Sequence, residues 1–196
     1  MGNLTIGFAL TGSYCTFHKT IPEIKNLVES GYNIIPIFSE NVYKTDTRFG
    51  EASFFEKEVE EICKNKIIKS IKEAEPIGPK KLLDALIVAP CTGNTLAKLS
   101  CGIADTSVAM AVKSTLRNEK PVIIGVSTND GLGNACKNIG NLLNYKGIYF
   151  VPFNQDDPFK KPRSLVADMS KIRDTLNLAL NGVQLQPIIY IKKQET

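Results

Sequence analysis

The chain has 196 residues, 24 basic and 20 acidic side chains and a formal charge of +4, with 43% hydrophobic and 22% charged residues. That length fits one domain whose core needs no disulfide or metal staple, and the mild charge is far from the basic footprint of a nucleic-acid binder. No apolar run approaches the roughly 18 residues of a membrane span, and the apolar start carries no Lys or Arg before Lys19, unlike a secretory signal.

In chain order, residues 4–10 form a continuous apolar run that reads as a buried strand, followed by Thr11-Gly12-Ser13. The next helix has two readings. In one, Thr20 and Glu23 make a capping box before Ile21, Ile24, Leu27 and Val28; in the other the helix starts at Ser13 and tolerates Pro22. Residues 33–38 read as a second strand, although Pro36 is awkward there. The stretch 39–85 is less regular, with a charged helical segment at 54–63. Residues 86–89 and 122–126 read as further buried strands and 148–152 as a fifth. Asp105 suits an N-cap for an apolar helix over 106–117, buried or at a subunit contact. Ser164 is expected to cap a last helix carrying Leu165, Met169, Ile172, Leu176 and Ala179. The tail 184–191 has a strand-like pattern, either pairing with a neighbour or fraying, and Lys192-Lys193 follow. Alternating strands and helices predict one α/β domain over 1–196, a doubly wound, Rossmann-like parallel sheet flanked by helices, with 184–196 as a peripheral tail.

In such sheets ligands gather at the carboxyl ends of the strands, over helix N-termini. The loops there are Thr11-Gly12-Ser13, Ser39, Cys91-Thr92-Gly93-Asn94-Thr95 and Ser127-Thr128-Asn129-Asp130-Gly131, all rich in hydroxyls, amides or glycine. That composition suits a phosphate, because small side chains let backbone N–H groups approach and the helix end adds partial positive charge. The lysine of a P-loop and the glycines of a dinucleotide fingerprint are both missing. Each loop has a plain structural reading as well, such as Ser13 as a helix cap in the first and a cap plus a helix ended by Gly102 in the third. A cap explains one of Thr92, Asn94 and Thr95, not all three.

Three cations are further candidates. Arg48, in Thr47-Arg48-Phe49-Gly50, suits either a bidentate grip on a carboxylate or an ordinary ion pair. Lys160 and Arg163, in Lys160-Lys161-Pro162-Arg163, either stay solvated or close over an anionic ligand. Cys91 sits where a loop either stabilises a thiolate or packs a thiol. Five cysteines (Cys15, Cys63, Cys91, Cys101, Cys136), an odd number without a Cys-x-x-Cys pair, read as reduced cytoplasmic thiols. The single histidine, His18, argues against a structural zinc site and against a Ser-His-Asp engine.

Thr11-Gly12-Ser13 together with Pro90-Cys91-Thr92-Gly93-Asn94-Thr95-x-x-Lys98-x-x-x-Gly102-Ile103-x-Asp105 resembles the flavoprotein superfamily of homo-oligomeric flavin-containing cysteine decarboxylases and flavin prenyltransferases. The likeness runs over roughly residues 4–153. Thr45-Asp46-Thr47-Arg48-Phe49-Gly50 and Val126-Ser127-Thr128-Asn129-Asp130-Gly131-Leu132-Gly133 narrow it to one branch, the B subunits of two-subunit oxidoreductases that form pyridine-2,6-dicarboxylate in sporulating bacteria.

The resemblance implies an FMN pocket drawing on Thr11, Gly12, Ser13, Ser39, Cys91, Thr92, Asn94, Thr95 and Ser127. It implies a dicarboxylate substrate held by Arg48, Asn129, Asp130, Lys160 and Arg163, with Asn129 in the place of the family's carboxylate-binding asparagine. It also implies a nucleotide-binding A subunit carrying NAD(P), a homo-oligomer and a cytoplasmic place in the mother cell, with neither nucleic acid nor membrane as a partner. Two features depart from the decarboxylases. Glu75-Pro76-Ile77-Gly78 stands where their catalytic histidine is expected, and Thr128-Asn129-Asp130 replaces a methionine-containing substrate clasp. Cysteine decarboxylation is therefore not expected. Retention of the flavin stays open, as do the alternatives of another flavin enzyme of the superfamily and a non-catalytic organising subunit.

Overall fold

A computed structural model describes residues 4–190. Seven strands form one sheet: β1 (Thr5–Leu10), β2 (Asn33–Phe38), β3 (Ala85–Cys91), β4 (Val122–Thr128), β5 (Ile148–Phe150), β6 (Phe153–Gln155) and β7 (Leu165–Ala167). The order is β2-β1-β3-β4-β7-β6, with β5 also paired to β4. Strands β1 to β5 pair in parallel, and β7 runs antiparallel to the end of β4 and to β6. Every residue of β3 is buried, as a central strand covered on both faces requires. The expected wound α/β sheet is present, extended by an antiparallel β6–β7 hairpin.

The helices are α1 (Phe17–Glu29), α2 (Glu40–Lys44), α3 (Ala52–Cys63), α4 (Ile71–Ala74), α5 (Gly93–Ser100), α6 (Ser107–Arg117), α7 (Asn134–Leu143) and α8 (Ile172–Ala179). The earlier start is the one observed for α1: a 3-10 turn at Tyr14–Thr16 leads into it, Pro22 lies inside it, and Thr20 Oγ1 donates to Thr16 O instead of capping. Pro36 is tolerated because β2 is an edge strand. Its carbonyl points outward and accepts from Ile68 N at 2.9 Å, so the missing N–H falls on the side that no sheet strand needs.

Three expectations are corrected. Thr106, not Asp105, caps α6, its side chain accepting from Ala109 N at 3.2 Å. Asp105 pairs with Lys98 Nζ at 2.6 Å instead, which holds its carboxyl below the usual range. Ser164 caps no helix: it is buried just before β7, and Asp168 caps the final helical segment by accepting from Ser170 N at 3.2 Å. The tail does pair. Gln184 brackets Phe150, donating to its carbonyl and accepting from its N–H, and Ile189 bridges Phe153. Lys192-Lys193 lie outside the described residues. Helix α6 is buried mainly by its own chain, with Lys113 and Arg117 exposed.

Candidate functional site

From β1 the chain turns to β2 on one side, and from β3 to β4 on the other, so the ends of β1 and β3 flank the reversal point where wound sheets open a crevice. One buried side chain ties these two ends together. Thr11 Oγ1 donates to Pro90 O at 2.7 Å and accepts from Thr92 N at 3.0 Å. Its hydroxyl is thereby committed within the chain. The loop after β2 joins through Tyr14, whose hydroxyl donates to Asn41 O at 2.6 Å, and Ser39 N donates to Leu10 O at 3.0 Å. Ser39 itself is half-buried, precedes α2 and makes no side-chain cap bond.

The loop after β4 joins through three hydroxyls. Ser127 Oγ lies 2.7 Å from Ser13 Oγ and 2.8 Å from Thr16 Oγ1, while Ser13 and Thr16 are 3.3 Å apart. Thr16 and Ser127 are buried and Ser13 is half-buried. Each hydroxyl has one proton and two lone pairs. The two short bonds use two of the three protons. Running them outward, Thr16 to Ser127 to Ser13, leaves the proton of Ser13 free to donate at the surface. Gly93 closes the fourth side: a Cβ there would lie 2.8 Å from Thr128 Oγ1, so the start of α5 packs against the β4 loop only as glycine.

Thr92 caps α5, accepting from Thr95 N at 3.3 Å, and its hydroxyl lies 3.1 Å from that of Thr95. The next two amides, of Gly93 and Asn94, have no partner among the described residues, and the exposed Asn94 side chain makes no hydrogen bond among them. These are the orphan donors of a helix N-terminus, and they favour an anion. Cys91 differs from its neighbours. It is fully buried at the end of β3, and burial pushes its thiol far above the ordinary range. Cys91 packs there as a buried thiol, and its thiolate is disfavoured.

Asn129 is exposed beside this rim. Asp130 forms the turn into α7: its N–H donates to Thr128 Oγ1 at 3.3 Å, its carbonyl accepts from Gly133 N and Ala135 N, and its carboxylate covers Gly133. The β6–β7 hairpin leans on the same loop. Arg163 O accepts from Leu132 N at 2.9 Å, and Leu165 packs where Gly131 leaves room. Lys160 and Arg163 are exposed and unpaired among the described residues, whereas Lys161 pairs with Asp156 at 3.0 Å. That carboxylate raises the pKa of Lys161.

Arg48 stands apart. Its guanidinium stacks on Phe49, 4.9 Å from the ring centroid, in a turn beside α3, and no described contact links it to Asn129 or the hairpin. Glu75-Pro76-Ile77-Gly78 is a packing element. Ile77 is buried, and Gly78 accepts from Asn118 Nδ2 at 2.9 Å. Sequence reasoning missed Thr16 and Tyr14. The available signal for Thr16 was a second hydroxyl one helical turn after Ser13.

Residues 1–173 match the Flavoprotein family. The chain is 47% identical over 184 residues to the B subunit of dipicolinate synthase from Bacillus subtilis, covering 94% of this chain and 92% of that protein. A crystal structure of the corresponding B subunit from Bacillus halodurans superposes with a TM-score of 0.89 at 45% identity, over 96% of this chain and 97% of that one. The FMN-dependent cysteine decarboxylase SpaF is similar in fold, with a TM-score of 0.64 at 20% identity over 90% of this chain and 97% of that one.

Proposed function

This chain belongs to the flavoprotein family and, within it, to the dipicolinate synthase B subunits, and from that premise we propose that it works with the nucleotide-binding A subunit of dipicolinate synthase to oxidise a dihydrodipicolinate-type ring to pyridine-2,6-dicarboxylate. The observation that carries this reading is the rim itself: hydrogen bonds draw four loops together at one edge of the sheet, and the amides of Gly93 and Asn94 are left there without partners among the described residues.

The donor set fits a flavin phosphate. With the relay running outward, Ser13 has a hydroxyl proton to donate; Gly93 and Asn94 offer backbone N–H groups, and the N-terminus of α5 adds partial positive charge. Thr16 and Ser127 orient Ser13, and Thr11 holds the two strand ends at a fixed separation. Ser39, Gly12, Thr92 and Thr95 complete the wall. Bound in that place, FMN would supply a redox-active ring able to pass two electrons from the substrate on to a nicotinamide. Asn129, with Lys160 and Arg163 of the hairpin, orients substrate carboxylates and neutralises their charge, while Asp130 shapes the turn that presents Asn129.

Oxidation removes a hydride and a proton from the ring. NAD(P) held by the A subunit would be the final acceptor of those two electrons, since this chain lacks a dinucleotide fingerprint, and aromatisation would provide much of the driving force. The packed turn at Glu75–Ile77 favours this reading over a decarboxylase, because it offers no histidine to the crevice. Homo-oligomerisation and a place in the cytoplasm belong to the same proposal. Coexpression with the nucleotide-binding chain, followed by an assay for pyridine-2,6-dicarboxylate, tests it. Product formation is expected to need both chains, and equal product from the nucleotide-binding chain alone would refute the joint enzyme.

A further inference from the structure

The segment after α8 grips the sheet by a side chain where a strand would be expected. Strand β5 pairs with β4 along one edge, and Phe150 turns its own N–H and carbonyl away from β4. Such groups need partners, yet among the described residues no strand lies on that side of β5. Gln184 takes the place of one. Its Oε1 accepts from Phe150 N at 2.8 Å, and its Nε2 donates to Phe150 O at 2.7 Å and to Leu185 O at 3.0 Å. Further along, Ile188 O accepts from Phe153 N at 2.9 Å and Ile189 bridges Phe153, while Ile189 itself stays 68% exposed.

What these contacts hold is the base of the β6–β7 hairpin. Pro152 O accepts from Asp168 N at 2.8 Å and closes that base, and Leu185, Pro187 and Tyr190 line one cavity with Pro152 and Asp168. Burial, and then the carboxylate of Asp168, push the Tyr190 phenol up to about 12, in keeping with close packing of the two. The far end of the same hairpin rests on the rim. Strand β7 pairs with Ser127 and Thr128, Arg163 O accepts from Leu132 N at 2.9 Å, and Leu165 fills the space beside Gly131. Each hairpin strand has three residues, a span of roughly 10 Å, so a hold on the base also fixes the end at the rim.

The seated hairpin is opposed from within. Ser164 is buried just before β7, and its hydroxyl is the one buried side-chain polar atom without a partner among the described residues. A hydroxyl buried unpaired has lost the hydrogen bonds that water gives it, and it regains them when the hairpin lifts. A segment held by few bonds and half in water belongs to the least stable part of a fold. We infer that residues 184–190 are a releasable strap. Seated, the strap holds the hairpin against the β4 loop of the rim; lifted, it lets Ser164 reach water and the hairpin leave that loop. The strap stands on these contacts, whereas its bearing on substrate carboxylates, through Lys160 and Arg163, rests on the proposed function.

Amide hydrogen exchange on the full chain without ligand, followed residue by residue by NMR, tests the strap. Gln184→Ala is expected to speed exchange at Phe150, Phe153, Asp168 and Leu132 at least tenfold, while amides of β1 and β3 keep the parent's rates. Gln184→Glu, which keeps an acceptor for Phe150 N and sets a carboxylate against Phe150 O, should do the same. Ser164→Ala should act in the opposite direction and slow exchange at Leu132 at least threefold. It removes a single oxygen, so it decides the matter even if the Gln184 variants unfold. Faster exchange at Phe150 alone, or an equal rise throughout β1 and β3, overturns the strap, as does an unchanged or faster Leu132 in Ser164→Ala. Product formation by the parent with the nucleotide-binding chain is a separate readout: its absence would refute the proposed reaction and leave the strap standing.

Discussion

At the rim, contacts are made by hydroxyls and join residues far apart in the chain: Thr11 to Pro90 and Thr92, Ser13 and Thr16 to Ser127, Tyr14 to Asn41. In the neighbouring groove between α1 and α3, lined by Tyr14, Phe17, Phe49, Phe54 and Phe55, the walls meet through rings, and Phe49 and Phe54 stay exposed. Hydrogen bonds are directional, and a buried partner left unpaired loses its whole desolvation compensation. Ring contacts tolerate displacement. The two regions should therefore fail differently, the rim in stability and phosphate affinity together, the groove with little change in stability.

The largest effect is expected at Thr11. Thr11→Val leaves Pro90 O and Thr92 N unpaired in a buried place, costing about 2–5 kcal/mol. At this chain length that lowers Tm by roughly 5–15 °C, and Thr11→Ser should recover most of the loss; a scanning calorimeter reads both. Next comes Ser127→Ala, which removes both short bonds of the hydroxyl relay at a cost of about 1–3 kcal/mol in stability. Flavin affinity should fall at least tenfold with it, and Thr16→Val should reproduce the affinity loss while Thr16→Ser does not. Fluorescence titration of FMN would show whether the relay matters to the ligand or merely to the fold.

Phe54→Ala should change stability by no more than about 0.5 kcal/mol, because the ring is mainly in water; a urea midpoint well below that of the parent would erase the contrast with the rim. The smallest effect lies outside both regions, at Glu73. Its carboxylate accepts from Lys69 N at 2.8 Å and Ser70 N at 2.9 Å, and those bonds hold its pKa below the ordinary 4.5. A lowered folded-state pKa gives stability that is full above the unfolded value and is lost as pH falls through the folded one. Glu73→Gln should flatten that acid slope below pH 4.5, read as a shrinking difference in Tm between parent and variant as the pH is lowered.

The strands were legible because a parallel strand covered on both faces must be apolar throughout, and 86–89 and 122–126 have that pattern. The convergence of the loops followed from the same topology, since parallel strands place all their carboxyl ends on one edge. Short elements were harder. Leu165, Met169, Ile172 and Leu176 sit at helical spacing, yet the first belongs to a three-residue strand, the second to a 3-10 turn and the last two to α8. Nothing local distinguishes such a sequence from one helix. Pro22 and Pro36 both read as breakers; Pro36 is tolerated because its missing N–H falls on an unneeded side of an edge strand, while Pro22 lies inside α1 at the loss of one helical hydrogen bond. The groove left no periodic trace, because its walls come from residues 14–17, 49 and 54–55 and meet only when α3 folds against α1.

Whether the rim cradles a phosphate is tested most directly by titrating the purified chain with FMN and with riboflavin, which share the ring system and differ in the phosphate. Donors at Ser13, Gly93 and Asn94 predict that FMN binds at least a hundredfold more tightly, and that Ser127→Ala narrows the gap. Equal affinity for the two, or no binding of FMN, would contradict the account.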